Sequence, residues 1–184
     1  IRVLKGNLGT SVIKVSAVDP ENWYVKAEAI VIHEQNELKK MFDKGILNKN
    51  FVLVVNFQGP KANGMPELHQ LTPILSILQH QGHKVALLTD GRMSGASGKV
   101  PAAIHITPEA MDEGNIGKVR SGDIIELDPL HYSLNILVEE KELKSRKLEM
   151  PDRKNYGNGV ELFQHMRNII SPSEEGASIL NLYG

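Results

Sequence analysis

The stretch KVALLTDGRMSGASGKVPAAIHITPEA, residues 84–110, decides how the chain is read. It opens on KVALLTD, a short apolar run of the kind that forms a strand covered on both faces. It then breaks into TDGRMSGASGK, where an Asp, an Arg, two serines and three glycines follow directly. AAIHI, 102–106, predicts another strand, and Thr107 as N-cap, Pro108 at the first helical position and Glu109 in the first turn predict a short helix after it. A glycine-rich turn at a strand end can aim its backbone N–H groups at an anion, with Arg92 and Lys99 adding positive charge. The plainer alternative is a tight turn that only needs φ > 0.

Working outward, FVLVVNF (51–57) has the same doubly covered pattern and leaves into QGPKANGMPELH, a second unusual loop holding Lys61, Asn63 and Glu67. If these two strands are neighbours, both loops open on one sheet edge, where ligands of α/β proteins bind. SVIKVSAV (11–18) and AEAIVIH (27–33) predict further strands. NELKKMFDKG predicts a helix with Asn36 as N-cap and Gly45 as its stop. LHQLTPILSILQHQG predicts another, with Pro73 delaying its start or kinking it and Gly82 ending it. GDIIELDPLHYSLNILVEE reads as two strands turning around Asp128 and Pro129, and ELKSRKLEM and GVELFQHMRNII as tail helices. Strands outnumber βα units, so the expected fold is one mixed α/β domain over residues 1–184, its sheet curled or barrel-like.

Composition narrows the function. The 184 residues are 41% hydrophobic and 23% charged, with a formal net charge of −1, which offers no basic field for nucleic acid or anionic lipid. No apolar run approaches the ~20 residues of a membrane span and the first residues do not resemble a signal peptide, so a cytoplasmic location is expected. With no cysteine, the chain cannot itself hold a disulfide, a thiolate zinc or a cysteine-ligated iron–sulfur cluster. It opens at Ile1 already in strand-like residues, as expected of a domain cut from a longer protein.

Familiar catalytic motifs do not fit the loop. Arg92 stands where a nucleophile elbow has its Gly before Ser94. Met93 and Val100 replace the first Gly and the Ser/Thr of a phosphate-binding P-loop. The seven histidines are scattered and form no HExxH.

Three segments carry a resemblance: LKGNLG (4–9), GPKANGMPE (59–67) and TDGRMSGASGKVPAAIHITPEA (89–110) resemble the carboxy-terminal domain of the dihydroxy-acid and 6-phosphogluconate dehydratase family, essentially from end to end. GNLGTSVIKVSAV, QGPKANGMPELH and SGASGKVPAAIH resemble the phosphogluconate branch, and the amino-acid branch reads SGGT instead. The resemblance implies a swivelling β/β/α domain of a cytoplasmic, two-domain homodimer whose amino-terminal domain binds an iron–sulfur cluster, 4Fe-4S in type, through three cysteines. It implies dehydration of 6-phospho-D-gluconate to 2-dehydro-3-deoxy-6-phospho-D-gluconate in the Entner–Doudoroff pathway.

By resemblance, Ser94 matches the serine that acts as base, and Glu67 the carboxylate that reaches a magnesium ion in some members. Arg92, Lys99 and Lys61 are the candidates for the substrate's phosphate, with Asn63, Gly95, Ala96, Ser97 and Asn7 facing the same cleft. Ala96 and Ser97 depart from the Gly-Thr of the dihydroxy-acid branch, so fine substrate contacts are not carried over from it. Asp90 is expected to orient the loop or pair with Arg92. The competing readings are a dihydroxy-acid or other sugar-acid dehydratase of the family, and a non-catalytic anion-binding module. Membrane and nucleic-acid partners are not expected.

Overall fold

The computed structural model of the chain describes residues 1–93, 99–152 and 157–180. Ser94, Gly95, Ala96 and Ser97 therefore lie outside the described residues. Eight strands close a barrel: β1 Arg2–Gly6, β2 Gly9–Ile13, β3 Val25–Ile32, β4 Phe51–Val55, β5 Val85–Thr89, β6 Ala102–Thr107, β7 Ile124–Asp128 and β8 Ser133–Ile136. Their order around the barrel is β1-β2-β6-β5-β4-β3-β7-β8. The run β3 to β6 is parallel, β7 and β8 form an antiparallel hairpin beside β3, and β1 pairs with β8 in parallel to close the ring. The expected mixed α/β fold with a barrel-like sheet is what the chain adopts.

The unbroken apolar runs have a simple cause. Side chains alternate across a strand, so Val52, Val54, Ala86 and Leu88 fill the barrel while Phe51, Leu53, Val55, Val85 and Leu87 face outward. That outer face is covered by α1 Gln35–Asp43 and α3 Leu71–His80, which contribute Leu38, Leu71, Leu75 and Leu78. Burying each such side chain contributes roughly 1.5–3 kcal/mol against leaving it in water. Small residues at inner positions, Ala27, Ala29, Ala86 and Ala103, let the barrel close around the larger Leu4, Leu8, Ile13 and Phe57.

Several boundaries move. The strand expected over 11–18 ends at Ile13, because its partner β1 begins at Arg2, opposite Ile13. The first helix starts two residues before the position an Asn36 cap implies. Glu34 is its N-cap, and Glu34 and Glu37 close a reciprocal capping box. Pro73 does delay its helix, which begins at Leu71, and Gly45 and Gly82 follow the two helix ends at φ +67° and +94°. Thr107 caps nothing: it pairs with Thr10 as the last residue of β6, and a single 3-10 turn, Ala110–Asp112, follows Glu109. The tail helices are α4 Glu140–Ser145 and α5 Asn158–Ile169. A short helix inside the first glycine loop, α2 Pro60–Asn63, has Pro60 in its first turn and Gly64 as a left-handed C-cap. Both signals were present in the sequence.

Candidate functional site

The carboxyl ends of β4, β5 and β6 lie side by side, so the loops leaving them meet at one end of the barrel. Asp90, 0% exposed, joins them: its Oδ1 accepts from the Gln58 N–H at 2.8 Å and its Oδ2 from the Ala110 N–H at 3.0 Å. Burial pushes its carboxyl above the usual carboxylate range, against the pull of those amides. Asp90 thus orients the loops, and its partners are backbone amides while Arg92 turns elsewhere.

Glu109 does the same for α2. It is 4% exposed, and its two oxygens accept from the Lys61 N–H at 2.8 Å and the Ala62 N–H at 3.2 Å. Burial raises its pKa, the two amides oppose this, and the nearby Asp90 and Asp112 charges add to it. Gly59 is required here, because a Cβ at that position would stand 2.0 Å from Glu109 Oε2. Gln58 links the next strand, donating from Nε2 to the His33 carbonyl at 2.7 Å.

The mouth itself is formed by Arg92 and Glu67. Arg92 Nε donates to the Met65 carbonyl at 2.7 Å, and Nη1 meets Glu67 Oε2 at 3.2 Å. The two residues also form a parallel β-bridge between the loops. Beside them β6 bulges: His105 and Ile106 stand opposite the single Ser11 of β2, and His105 takes φ +55°. Its N–H donates to the Gly91 carbonyl at 2.9 Å. Burial and then the Arg92 charge hold its imidazole below the ordinary histidine pKa, so it is neutral at pH 7.

The other candidates are placed as follows. Lys61 Nζ is 2.6 Å from Asp112 Oδ1, and Asn63 Nδ2 donates to Gln58 Oε1 at 3.0 Å, so both brace the first loop. Asn7 is at this end of the barrel, but its side chain exchanges two 2.8 Å hydrogen bonds with the Ile136 backbone, as a strand residue would. Its amide closes the seam between the first hairpin and β8. Lys99 is not at the mouth. Its carbonyl accepts from Gln79 Nε2 at 3.0 Å, near the end of α3 and the start of β6. β5 and β6 are parallel, and Arg92 follows the carboxyl end of β5 while Lys99 precedes the amino end of β6, so the two stand toward opposite ends of the barrel. Sequence reasoning missed Glu109 as an anchor and His105 as a neighbour of Arg92. A buried acid after a strand carried no pattern to find it by.

Residues 1–177 match the family described as Dihydroxy-acid/6-phosphogluconate dehydratase C-terminal. The chain belongs to this family. It is 53% identical over 178 residues to phosphogluconate dehydratase of Pseudomonas aeruginosa, covering 96% of the chain and 29% of that protein. It is 49% identical over 181 residues to phosphogluconate dehydratase of Escherichia coli K12, covering 97% of the chain and 30% of that protein. Against the dihydroxy-acid dehydratase of Methanobrevibacter smithii, identity falls to 32% over 183 residues, 98% of the chain and 32% of that protein. The chain thus spans about a third of the length of the curated relatives it matches. No helix among the described residues is long and apolar enough to cross a membrane.

The donor set bears on the family's cofactors. Without a cysteine the chain offers no thiolate for an iron–sulfur cluster, so its residues do not fit one and any such ligands come from outside it. Among the described residues no three His, Cys, Asp or Glu gather as a metal site. Glu67 at the mouth could lend a single hard oxygen to a magnesium ion whose remaining ligands come from elsewhere.

Proposed function

We propose that the chain is the carboxy-terminal, active-site-completing domain of a hydro-lyase that dehydrates 6-phospho-D-gluconate to 2-dehydro-3-deoxy-6-phospho-D-gluconate, the Entner–Doudoroff step. The supporting observation is the gap in identity: about half the residues match phosphogluconate dehydratases, against 32% for the dihydroxy-acid enzyme, over nearly the whole chain in each case. In this reading the domain works in a cytoplasmic homodimer with an amino-terminal domain of the same polypeptide. An iron–sulfur cluster would be held by cysteines of that domain and would supply Lewis acidity toward the C3 hydroxyl.

The chain's own residues act on the proton at C2. Removing it from the carbon beside a carboxylate builds negative charge on a group already anionic, so cationic neighbours must stabilise the change. Arg92 stands at the mouth with its guanidinium fixed by Met65 and Glu67, and meets that charge. Ser94, two residues further on, takes the proton as an alkoxide, its Oγ returning to the neutral hydroxyl. A serine hydroxyl is too weak a base at neutral pH without a cation beside it, which makes the domain inert when isolated. The C3 hydroxyl leaves as hydroxide. The proton taken from C2 passes to it from the Ser94 hydroxyl, which completes a water molecule and regenerates the alkoxide, and the enol tautomerises to the 2-keto acid. Gly95, Ala96 and Ser97, which follow Ser94 in the same motif, are taken as substrate-binding residues, and Glu67 contributes to magnesium where that ion is used.

In the full-length enzyme, Ser94→Ala is expected to lower turnover of 6-phosphogluconate by about 10²–10⁴-fold, the usual share of a general base, while substrate still binds. Unchanged turnover would overturn the assignment. Faster dehydration of an unphosphorylated dihydroxy acid than of 6-phosphogluconate would move the chain to the other branch.

A further inference from the structure

A second cavity opens at the same end of the barrel as Arg92 and Glu67, and none of the family motifs reaches it. It measures about 290 Å3 and is lined at its base by Val31, His33 and Asn56, and across its rim by Arg120, Ser121 and Glu149. Its base is the carboxyl edge of β3 and β4, the edge at which sheets of this kind hold ligands. Gln58 ties it to the Arg92 site, since one amide donates to both the His33 and Asn56 carbonyls, at 2.7 and 3.2 Å.

Asn56 is the informative residue. It is 2% exposed. Its Nδ2 donates to the Ile116 carbonyl at 3.3 Å, and its Oδ1 has no hydrogen-bond partner among the described residues. A buried amide oxygen left unpaired is costly, so its presence calls for a donor. Across the cavity, the Ser121 hydroxyl accepts from the Val31 N–H at 2.9 Å and keeps its own hydrogen to donate. Arg120 stands at the rim. Its pair with Glu149 is long, at 3.6 Å, and the two side chains are 49% and 74% exposed, so the contact is weak enough for a ligand anion to displace.

We infer that this cavity binds the hydroxylated, anionic end of a sugar acid, with Asn56 Oδ1 accepting from a hydroxyl, Ser121 Oγ donating to a neighbouring oxygen and Arg120 meeting the charge. The choice of ligand rests on the dehydratase reading. The site itself rests on the cavity and its polar groups. On that reading it is the subsite for the far end of the substrate, one strand-width from the residues that meet the reacting end, and it makes Asn56 and Arg120 determinants of specificity.

The test needs only binding, so it separates this inference from the reaction. Backbone and side-chain amide TROSY NMR signals of the 2H,15N-labelled full-length Ser94→Ala enzyme are followed while 6-phosphogluconate, gluconate or inorganic phosphate is added. Both sugar acids are expected to produce saturable shifts at the Asn56 amide and at Ser121, with 6-phosphogluconate the tighter. Arg120→Met should weaken 6-phosphogluconate at least tenfold, and Asn56→Leu should weaken both sugar acids. Arg120 is at the surface, so its variant reports even if the Asn56 variant fails to fold. Three results would overturn the site: no saturable shift with either sugar acid, shifts that Arg120→Met leaves unchanged, or equal shifts from inorganic phosphate alone. Turnover of 6-phosphogluconate by the full-length enzyme despite any of these would leave the reaction standing and remove only the subsite.

Discussion

The two halves of the barrel are built differently. In the parallel half, β4 and β5 are buried at every position because the barrel interior takes one face and α1 and α3 take the other. In the antiparallel half, β1, β7 and β8 bury only alternate residues and leave the rest to solvent. The connections follow the same division. The antiparallel pairs β1–β2 and β7–β8 turn back within a few residues, as at Asn7 and Leu8, whereas parallel neighbours need a crossover the length of the barrel. The loops that leave the parallel strands carry Glu67, Asp90, Arg92 and Glu109, so the candidate site lies in the half with the continuous core.

Substitutions can break that contrast. Leu53→Ala, at a fully buried outward position of β4, is expected to cost about 3–4 kcal/mol in a denaturant titration, since neither α1 nor α3 can collapse into the space. A loss under 1 kcal/mol would mean that the helices are not what stabilises this half. The antiparallel half has its own anchor in Arg146, whose Nη1 and Nη2 grip Asp123 at 2.5 and 2.9 Å, with both side chains about nine-tenths buried. Arg146→Met leaves Asp123 without its cation and should cost about 3 kcal/mol.

Asp90→Asn sharpens the comparison through pH. The Asp90 carboxyl has a folded pKa above its unfolded one, so its contribution to stability is full below the ordinary carboxylate range and is lost as pH climbs through the raised value. The depressed His105 has the opposite sign, losing stability as pH falls below the ordinary histidine range. Measured as a difference from wild type, the His105 contribution cancels. The variant should lose about 1 kcal/mol at pH 7 through one poorly accepted amide, and the part of the decline above the ordinary carboxylate range due to Asp90 should vanish from its stability curve. An unchanged pH profile would contradict the burial argument. At the small end, Val3→Ala on β1, where the side chain is 47% exposed, should stay within about 0.5 kcal/mol of wild type.

Much of this organisation was legible in the residues. FVLVV and KVALLT announced strands covered on both faces, and the turn residues after them marked the loops of interest. Short, capped features were less legible: α2 was hidden by its glycines, and the Asn36 cap gave way to a Glu34–Glu37 box that satisfies more amides. The meeting of the two loops followed from placing two neighbouring strands side by side, but the Arg92–Glu67 pair did not, since Asp90 was the expected partner of Arg92. Nor did the position of Lys99, because it is near in sequence to Arg92 yet precedes the amino end of β6, opposite the end at which Arg92 leaves β5.

The sequence alone determined the apolar runs, the glycine turns that leave them and the family, since each is written in consecutive residues. Only the tertiary structure decided that Asn7 closes the barrel against Ile136, that Glu109 anchors a loop some fifty positions earlier in the chain, and that Asn56 faces a cavity with Arg120. Those contacts depend on strand register and barrel closure, which join residues far apart in the chain and leave no local pattern to read.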